Sequence, residues 1–167
     1  MKKLIGMLCM LVLLVLILWT GRMWLFSPTS HSMQKGIDLE DFADSYMGDN
    51  SQVINLYSEL PLHEVAKTFE IDGHTKTITV DFKEEPANVS DRQLQADFVI
   101  SSIAYFACFT NLEQINYQLP SRQVKFDRAT SEAILGDDLS RLVNQETWAK
   151  EVQEKISSQK FIQLFYK

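Results

Sequence analysis

Two cysteines, three histidines, four prolines and six glycines are all that this 167-residue chain contains of the residues that most often build special sites. The cysteines, Cys9 and Cys108, make no disulfide framework, and neither has the C-x-x-C companion of a structural zinc or a redox pair. His63 precedes Glu64, but no second histidine follows four residues on, so the metalloprotease helix motif is absent. His31 and His74 fall in polar, turn-forming segments and read as exposed loop residues. Gly48 has no glycine companions that would cradle a phosphate or dinucleotide. The acidic pairs Glu84-Glu85 and Asp137-Asp138, the latter near Glu132, lack the D-x-D-x-D-G spacing of a calcium loop. Ser101-Ser102 has no G-x-S-x-G around it and sits in an apolar stretch, where serine bonds back to a carbonyl one turn earlier. These gaps imply no catalytic residue, no metal and no cofactor.

Positive charge is also scarce outside the N-terminus. Without Lys2, Lys3 and Arg22, the 16 Lys+Arg fall to 13 against 22 Asp+Glu, a net charge of −9. A chain of that balance, with no basic cluster, is not built for nucleic acid or for an anionic lipid surface.

What the sequence does have is a long apolar run. Leu4 to Thr20 carries no charge and no proline, and Met23-Trp24-Leu25-Phe26 resumes the run after Gly21-Arg22. As a helix, Leu4–Thr20 spans roughly 26 Å and Leu4–Phe26 roughly 35 Å, against a hydrocarbon thickness of about 30 Å. A cleaved signal peptide needs small residues after a shorter run, and here the residues are bulky. A lipoprotein signal needs a cysteine at the end of the run, and Cys9 comes too early. The segment therefore reads as an uncleaved anchor over residues 1–26, with Trp19 and Trp24 suited to the interface and Arg22 able to snorkel. Lys2 and Lys3 predict a cytoplasmic N-terminus and an extracytoplasmic C-terminal domain.

Residues 27–38 form a polar tether, and residues 39–167 a single domain. Its patterns predict an α+β fold of order α-β-β-α-β-β-α. A first helix follows Asp49-Asn50, with Val53, Ile54, Tyr57 and Leu60 at helical spacing before Pro61. Phe69 and Ile71, then Ile78, Val80 and Phe82, alternate on either side of an Asp72-Gly73 turn whose glycine supplies a positive φ. Ser90 and Gln93 form a capping box for a helix running to about Phe109, apolar nearly all round from Phe98, with Asn111 closing it. Ile115, Tyr117 and Leu119, then Val124 and Phe126, give two more strands. A short helix capped by Asp127 or Thr130 stops at Gly136, and Gln145–Ile156 forms a last helix with Trp148, Val152 and Ile156 on one stripe. Trp148 suits either a groove or the core. Phe161–Tyr166 alternates like an edge strand. The expected architecture is a largely antiparallel four-stranded sheet packed on the apolar helix.

Two segments carry a resemblance. Tyr46-Met47-Gly48-Asp49-Asn50-Ser51-x-Val53 with Leu60-Pro61-Leu62, and Phe126-x-Arg128-x-x-x-Glu132-x-x-x-Gly136-x-Asp138-Leu139, bracket an apolar helix followed by Leu112-Glu113-Gln114-Ile115. In order and spacing, over residues 44–142, they resemble a family of small domains of unknown function found in Gram-positive Firmicute bacteria behind a membrane anchor or lipoprotein signal. The resemblance implies a fold and a setting and carries over no catalytic residue. Its signature positions, Tyr46, Gly48, Asp49, Ser51, Arg128, Glu132 and Asp138, are the candidate binding residues, with structural roles for each beside that reading. Gly48 would allow a turn, Asp49 and Ser51 would satisfy helix N–H groups, and Arg128 and Glu132 would pair at i,i+4.

Three functions fit. The first is a non-enzymatic, membrane-anchored extracytoplasmic domain that binds or senses an envelope protein. The second is an envelope-acting hydrolase using carboxylates such as Asp49 and Asp138. The third is a structural module without a ligand.

Overall fold

Capping side chains mark where the helices begin. In a computed structural model, which describes residues 37–166, Asp49 accepts hydrogen bonds from the N–H groups of Ser51 and Gln52 and opens α1 (Asn50–Ser58). Ser90 accepts from the Gln93 N–H and opens α2 (Asp91–Cys108), and Asp127 accepts from the Thr130 N–H and opens α3 (Arg128–Leu135). Each cap satisfies donors that a helix leaves free in its first turn. Gly136, at φ 104°, ends α3 in a conformation that favours glycine. The predicted anchor and most of the tether lie outside the described residues. Among the described residues no helix is long and apolar enough to cross a membrane.

Four strands form one sheet in the order β1-β2-β3-β4. β1 (Lys67–Asp72) pairs antiparallel with β2 (Thr77–Phe82), and β3 (Gln114–Gln118) pairs antiparallel with β4 (Gln123–Asp127). The central pair, β2 with β3, is parallel. The sheet is therefore mixed, which corrects the largely antiparallel sheet expected from the two hairpins. The cause is α2. An 18-residue helix inserted between β2 and β3 runs back along the sheet and delivers β3 in the direction of β2, the connection that parallel strands require.

Alternation then divides the sheet. Phe69, Ile71, Ile78, Val80, Phe82, Ile115, Tyr117 and Phe126 share one face by register. That face packs on α2, with Phe98 stacked on Tyr117 at 4.5 Å between ring centroids. The opposite face is polar, with Glu70, Thr79, Asn116 and Lys125 forming one row across all four strands. From Phe98 to Cys108 every residue of α2 is buried, so the sheet covers one side of the helix while α1 and the C-terminal elements cover the rest. Ser102 Oγ donates to the Phe98 carbonyl at 2.8 Å, the back-bond expected of serine there.

Three local expectations change. The β1–β2 turn is closed by Asp72, whose Oδ1 accepts from the N–H groups of His74 and Thr75, and the positive φ falls on Lys76 at 53° instead of on Gly73. The last predicted helix is α4 (Gln145–Trp148) followed by a π turn (Ala149–Gln153), although Trp148, Val152 and Ile156 are buried as the stripe predicted. Phe161–Tyr166 is no strand: α5 (Gln159–Gln163) lies there. Phe161 and Phe165 meet edge-to-face at 5.4 Å, and Tyr166 Oη donates to the Gln95 carbonyl on α2. Both periods fit so short an apolar segment, and contacts to α2 select the helical one.

Tyr105 ties α2 to α1. Its hydroxyl donates to the Val53 carbonyl at 2.7 Å in a buried setting. Tyr105→Phe removes one neutral buried hydrogen bond and is expected to lower stability by about 1 kcal/mol. Urea unfolding of the two proteins measures this.

Candidate functional site

The two signature segments meet on one corner of the fold. α2 ends at Cys108, and the following residues to Leu112 turn the chain toward β3. Carbonyl groups past a helix C-terminus need donors. Arg128, the first residue of α3, supplies them. Its Nε donates to the Leu112 carbonyl at 2.7 Å, and its Nη2 to the carbonyls of Phe106 (2.8 Å) and Phe109 (2.6 Å). The guanidinium lies 5.4 Å from the Phe106 ring centroid, and Nη1 is 3.6 Å from Glu132 Oε1. A planar cation with forked donors suits this corner in a way that lysine does not, and it also complements the negative end of the helix dipole.

The opening signature holds the same corner from the other side. Ser45 forms an isolated bridge with Phe109, and the Met47 N–H donates to Asn111 Oδ1 at 3.1 Å. Met47 is buried, whereas Tyr46 beside it is 68% exposed. Gly48 has no positive φ, so the turn itself does not demand glycine. A Cβ there would come within 2.9 Å of Tyr46 Cε1, so glycine lets the tyrosine ring lie against the backbone. Gly48→Ala is expected to displace that exposed ring at a cost under about 1 kcal/mol, read as a changed Tyr46 ring signal in NMR with a nearly unchanged urea midpoint.

The remaining signature groups are engaged in local capping. Asp49 caps α1, and Ser51 contributes the N–H that Asp49 accepts. Asp138 Oδ1 accepts from the Ser140 hydroxyl and N–H, and these bonds hold its carboxyl below the usual carboxylate range. Trp148, the other residue considered for a groove, is buried in the core. Among the described residues no group of three or more potential ligands gathers to hold a metal.

Besides Tyr46, Ile54 and Leu164 are large apolar side chains left exposed. Ile54, 52% exposed, projects from α1 one turn after Asn50. With Asn50, Phe69 and Ile71 it lines a shallow groove between α1 and β1. Behind Phe69, buried Tyr57 meets its ring edge-to-face at 5.3 Å and carries Lys67 Nζ over its own ring at 4.6 Å. Sequence periodicity placed Ile54 and Phe69 on apolar faces without showing that a half-buried edge strand would leave them accessible.

One buried ionisable residue escaped notice in the sequence. Asp97, on α2, is only 3% exposed and accepts from Gln93 Nε2 at 2.8 Å. Burial pushes its carboxyl up to about 6, offset in part by the Gln93 bond. The signal was available: Gln93, Asp97 and Ser101 recur every four residues along α2, on the face that the apolar run around them buries. The hydroxyls of Tyr57 and Tyr166 lie close enough for the Asp97 charge to raise their ionisation points further.

Comparison with known proteins identifies a family. Residues 39–130 match a family described as a domain of unknown function (DUF4825). The match takes in the opening signature and Arg128 and ends before Glu132 and Asp138. No curated protein and no solved structure matches the chain.

Proposed function

The chain belongs to that family of unknown function, and from this premise we propose that it is a non-enzymatic, membrane-anchored domain that binds a protein partner on the outer side of a Gram-positive cell membrane. The observation that carries this reading is the division of labour among its side chains. The signature residues with chemical capability, Arg128, Asp49 and Asp138, are held by capping bonds. Tyr46 and Ile54 are large, apolar and exposed, which is the composition that interface anchors favour. The address comes from the apolar run over residues 4–26 behind Lys2 and Lys3. The signature positions then act mainly by shaping the corner from which Tyr46 projects.

Two measurements test the two halves. For the address, Thr75→Cys in the exposed β1–β2 turn should react with a membrane-impermeant thiol reagent on intact cells. Cys108 serves as an internal silent site, because burial pushes its thiol up to about 12. Labelling only after lysis would reverse the orientation. For the binding, a photo-crosslinking residue in place of Tyr46 should capture an envelope protein from the intact membrane. Absence of any adduct from position 46 would remove the basis for a partner on this corner.

A further inference from the structure

We propose that the free edge of β1, with the groove beside it, receives one extended strand of a partner protein in which apolar and basic residues alternate. This deepens the partner-binding reading above and rests on it.

The ladder geometry shows which backbone groups are free. The Lys83 N–H donates to the Ala66 carbonyl at 2.9 Å, which makes Ala66 and Lys83 a hydrogen-bonded pair in the β1–β2 register. Such pairs alternate along an antiparallel ladder. Thr68, Glu70 and Asp72 therefore direct their backbone groups to β2, and Lys67, Phe69 and Ile71 direct theirs outward. No hydrogen bond among the described residues reaches the outward groups of Phe69 and Ile71. Their side chains, with Ile54 and Asn50, line the groove. A strand added to this edge would bond to the backbone of the same residues whose side chains receive its apolar positions, the arrangement of β-strand addition.

The other edge of the sheet differs. There the Arg128 N–H donates to the Glu113 carbonyl and the Leu119 N–H to the Arg122 carbonyl. By the same alternation the outward groups of β4 belong to Gln123, Lys125 and Asp127, whose side chains lie on the polar face. A lysine and an aspartate on an edge discourage pairing. β1 pairs its open backbone with apolar side chains, so the two edges are not equivalent.

Charge selects the occupant. Every second residue of an added strand would lie beside Thr68, Glu70 and Asp72 on the polar face, where cations are favoured and anions repelled. The one cation of β1, Lys67, lies on the opposite side of the strand from Glu70, over the Tyr57 ring and donating to the His63 carbonyl. Outside residues 1–26 the chain carries 13 Lys+Arg against 22 Asp+Glu, so long-range attraction works in the same direction. A second copy is a poor fit, because two β1 strands centred on Glu70 would set glutamate against glutamate and both copies are acidic.

The test uses the full chain in nonionic detergent and a short fluorescent peptide of alternating valine and lysine. Its comparison peptides carry glutamate for lysine, or N-methyl groups along the backbone. The valine–lysine peptide should bind at least about tenfold more tightly than either comparison peptide. Ile71→Pro removes an outward N–H that β2 does not use, and Ile54→Lys places a charge in the groove; each should weaken binding about tenfold or more. If Ile71→Pro fails to fold, Ile54→Lys carries the comparison. Equal binding of the N-methylated peptide, or binding unchanged by the variants, would overturn the proposal. A homodimer abolished by Ile54→Lys would also overturn it by assigning the edge to a second copy. Capture of a partner from position 46 alongside a failed peptide test would remove this inference and leave the binding function standing.

Discussion

Arg128→Ala is expected to destabilise the domain by about 3–5 kcal/mol, enough to unfold much of a marginally stable protein. The side chain donates to three carbonyls, of Phe106, Phe109 and Leu112, and all three residues are fully buried. Alanine takes the side-chain donor from the Phe106 and Leu112 carbonyls and leaves Phe109 with the Leu112 N–H alone, and each orphaned buried group costs about 1–3 kcal/mol. The helix end also loses the cation that complements its dipole. Arg128→Lys should recover about half of the loss, because an ammonium cannot reproduce the forked geometry. Glu132→Ala should cost under about 1 kcal/mol, since its contact at 3.6 Å is a partly exposed ion pair. Urea denaturation of the three variants gives this ranking directly. A loss under about 1 kcal/mol for Arg128→Ala would show that water replaces the clamp.

Asp97→Asn is expected to act in the opposite direction, stabilising the domain by about 2–3 kcal/mol at pH 7. Asp97 ionises near 6 in the folded chain and near 3.8 unfolded. Above about pH 6 the carboxyl is charged in both states, and folding bears the cost of burying that charge. As pH falls from 6 toward 3.8, the folded state takes up the proton first and the cost is relieved. The natural protein should therefore gain about 1 kcal/mol between pH 7 and pH 5. Asparagine keeps an acceptor for Gln93 Nε2 and has no charge to bury, so this gain should vanish in the variant. Asp72, Glu85, Asp138 and Glu151 are held low by hydrogen bonds from Thr75, Ser121, Ser140 and Lys155. They oppose the trend only once the pH approaches or falls below their ordinary values of 3.8 to 4.5. Stability should therefore still be rising as pH falls to 5 and turn over below it. A steady fall from pH 7 to pH 5 would contradict the burial of Asp97.

Much of the fold could be read locally, because its signals are local. Asp49, Ser90 and Asp127 each accept from the helix N–H groups their positions implied. Alternation placed Ile78, Val80, Ile115 and Phe126 on one face of the sheet. Apart from the β1–β2 turn, where Asp72 moves the positive φ to Lys76, what failed depended on elements far apart in the chain. Nothing in either hairpin encodes how it meets the other; α2 decides that β2 and β3 run parallel. Phe161–Tyr166 carries two periods at once, and the bonds to Gln95 on α2 resolve it as helix. At the site, the i,i+4 spacing of Arg128 and Glu132 correctly suggested a pair. The three carbonyls that Arg128 serves lie 16 to 22 residues earlier, and no spacing rule reaches them. Gly48 was legible as a special position, although its reason is the Tyr46 ring and not a left-handed backbone.

The central claim is that the capping signature residues Asp49, Arg128 and Asp138 build the fold, while contact with a partner runs through exposed apolar residues, Tyr46 and the α1–β1 surface around Ile54. Site-directed photo-crosslinking in the native membrane, comparing position 54 with position 138, tests it most directly. Ile54 borders the groove and Asp138 is a solvent-facing signature residue, so both can report on contact. The account predicts an adduct from position 54 and none from position 138. An adduct from position 138 with none from position 54 would contradict it.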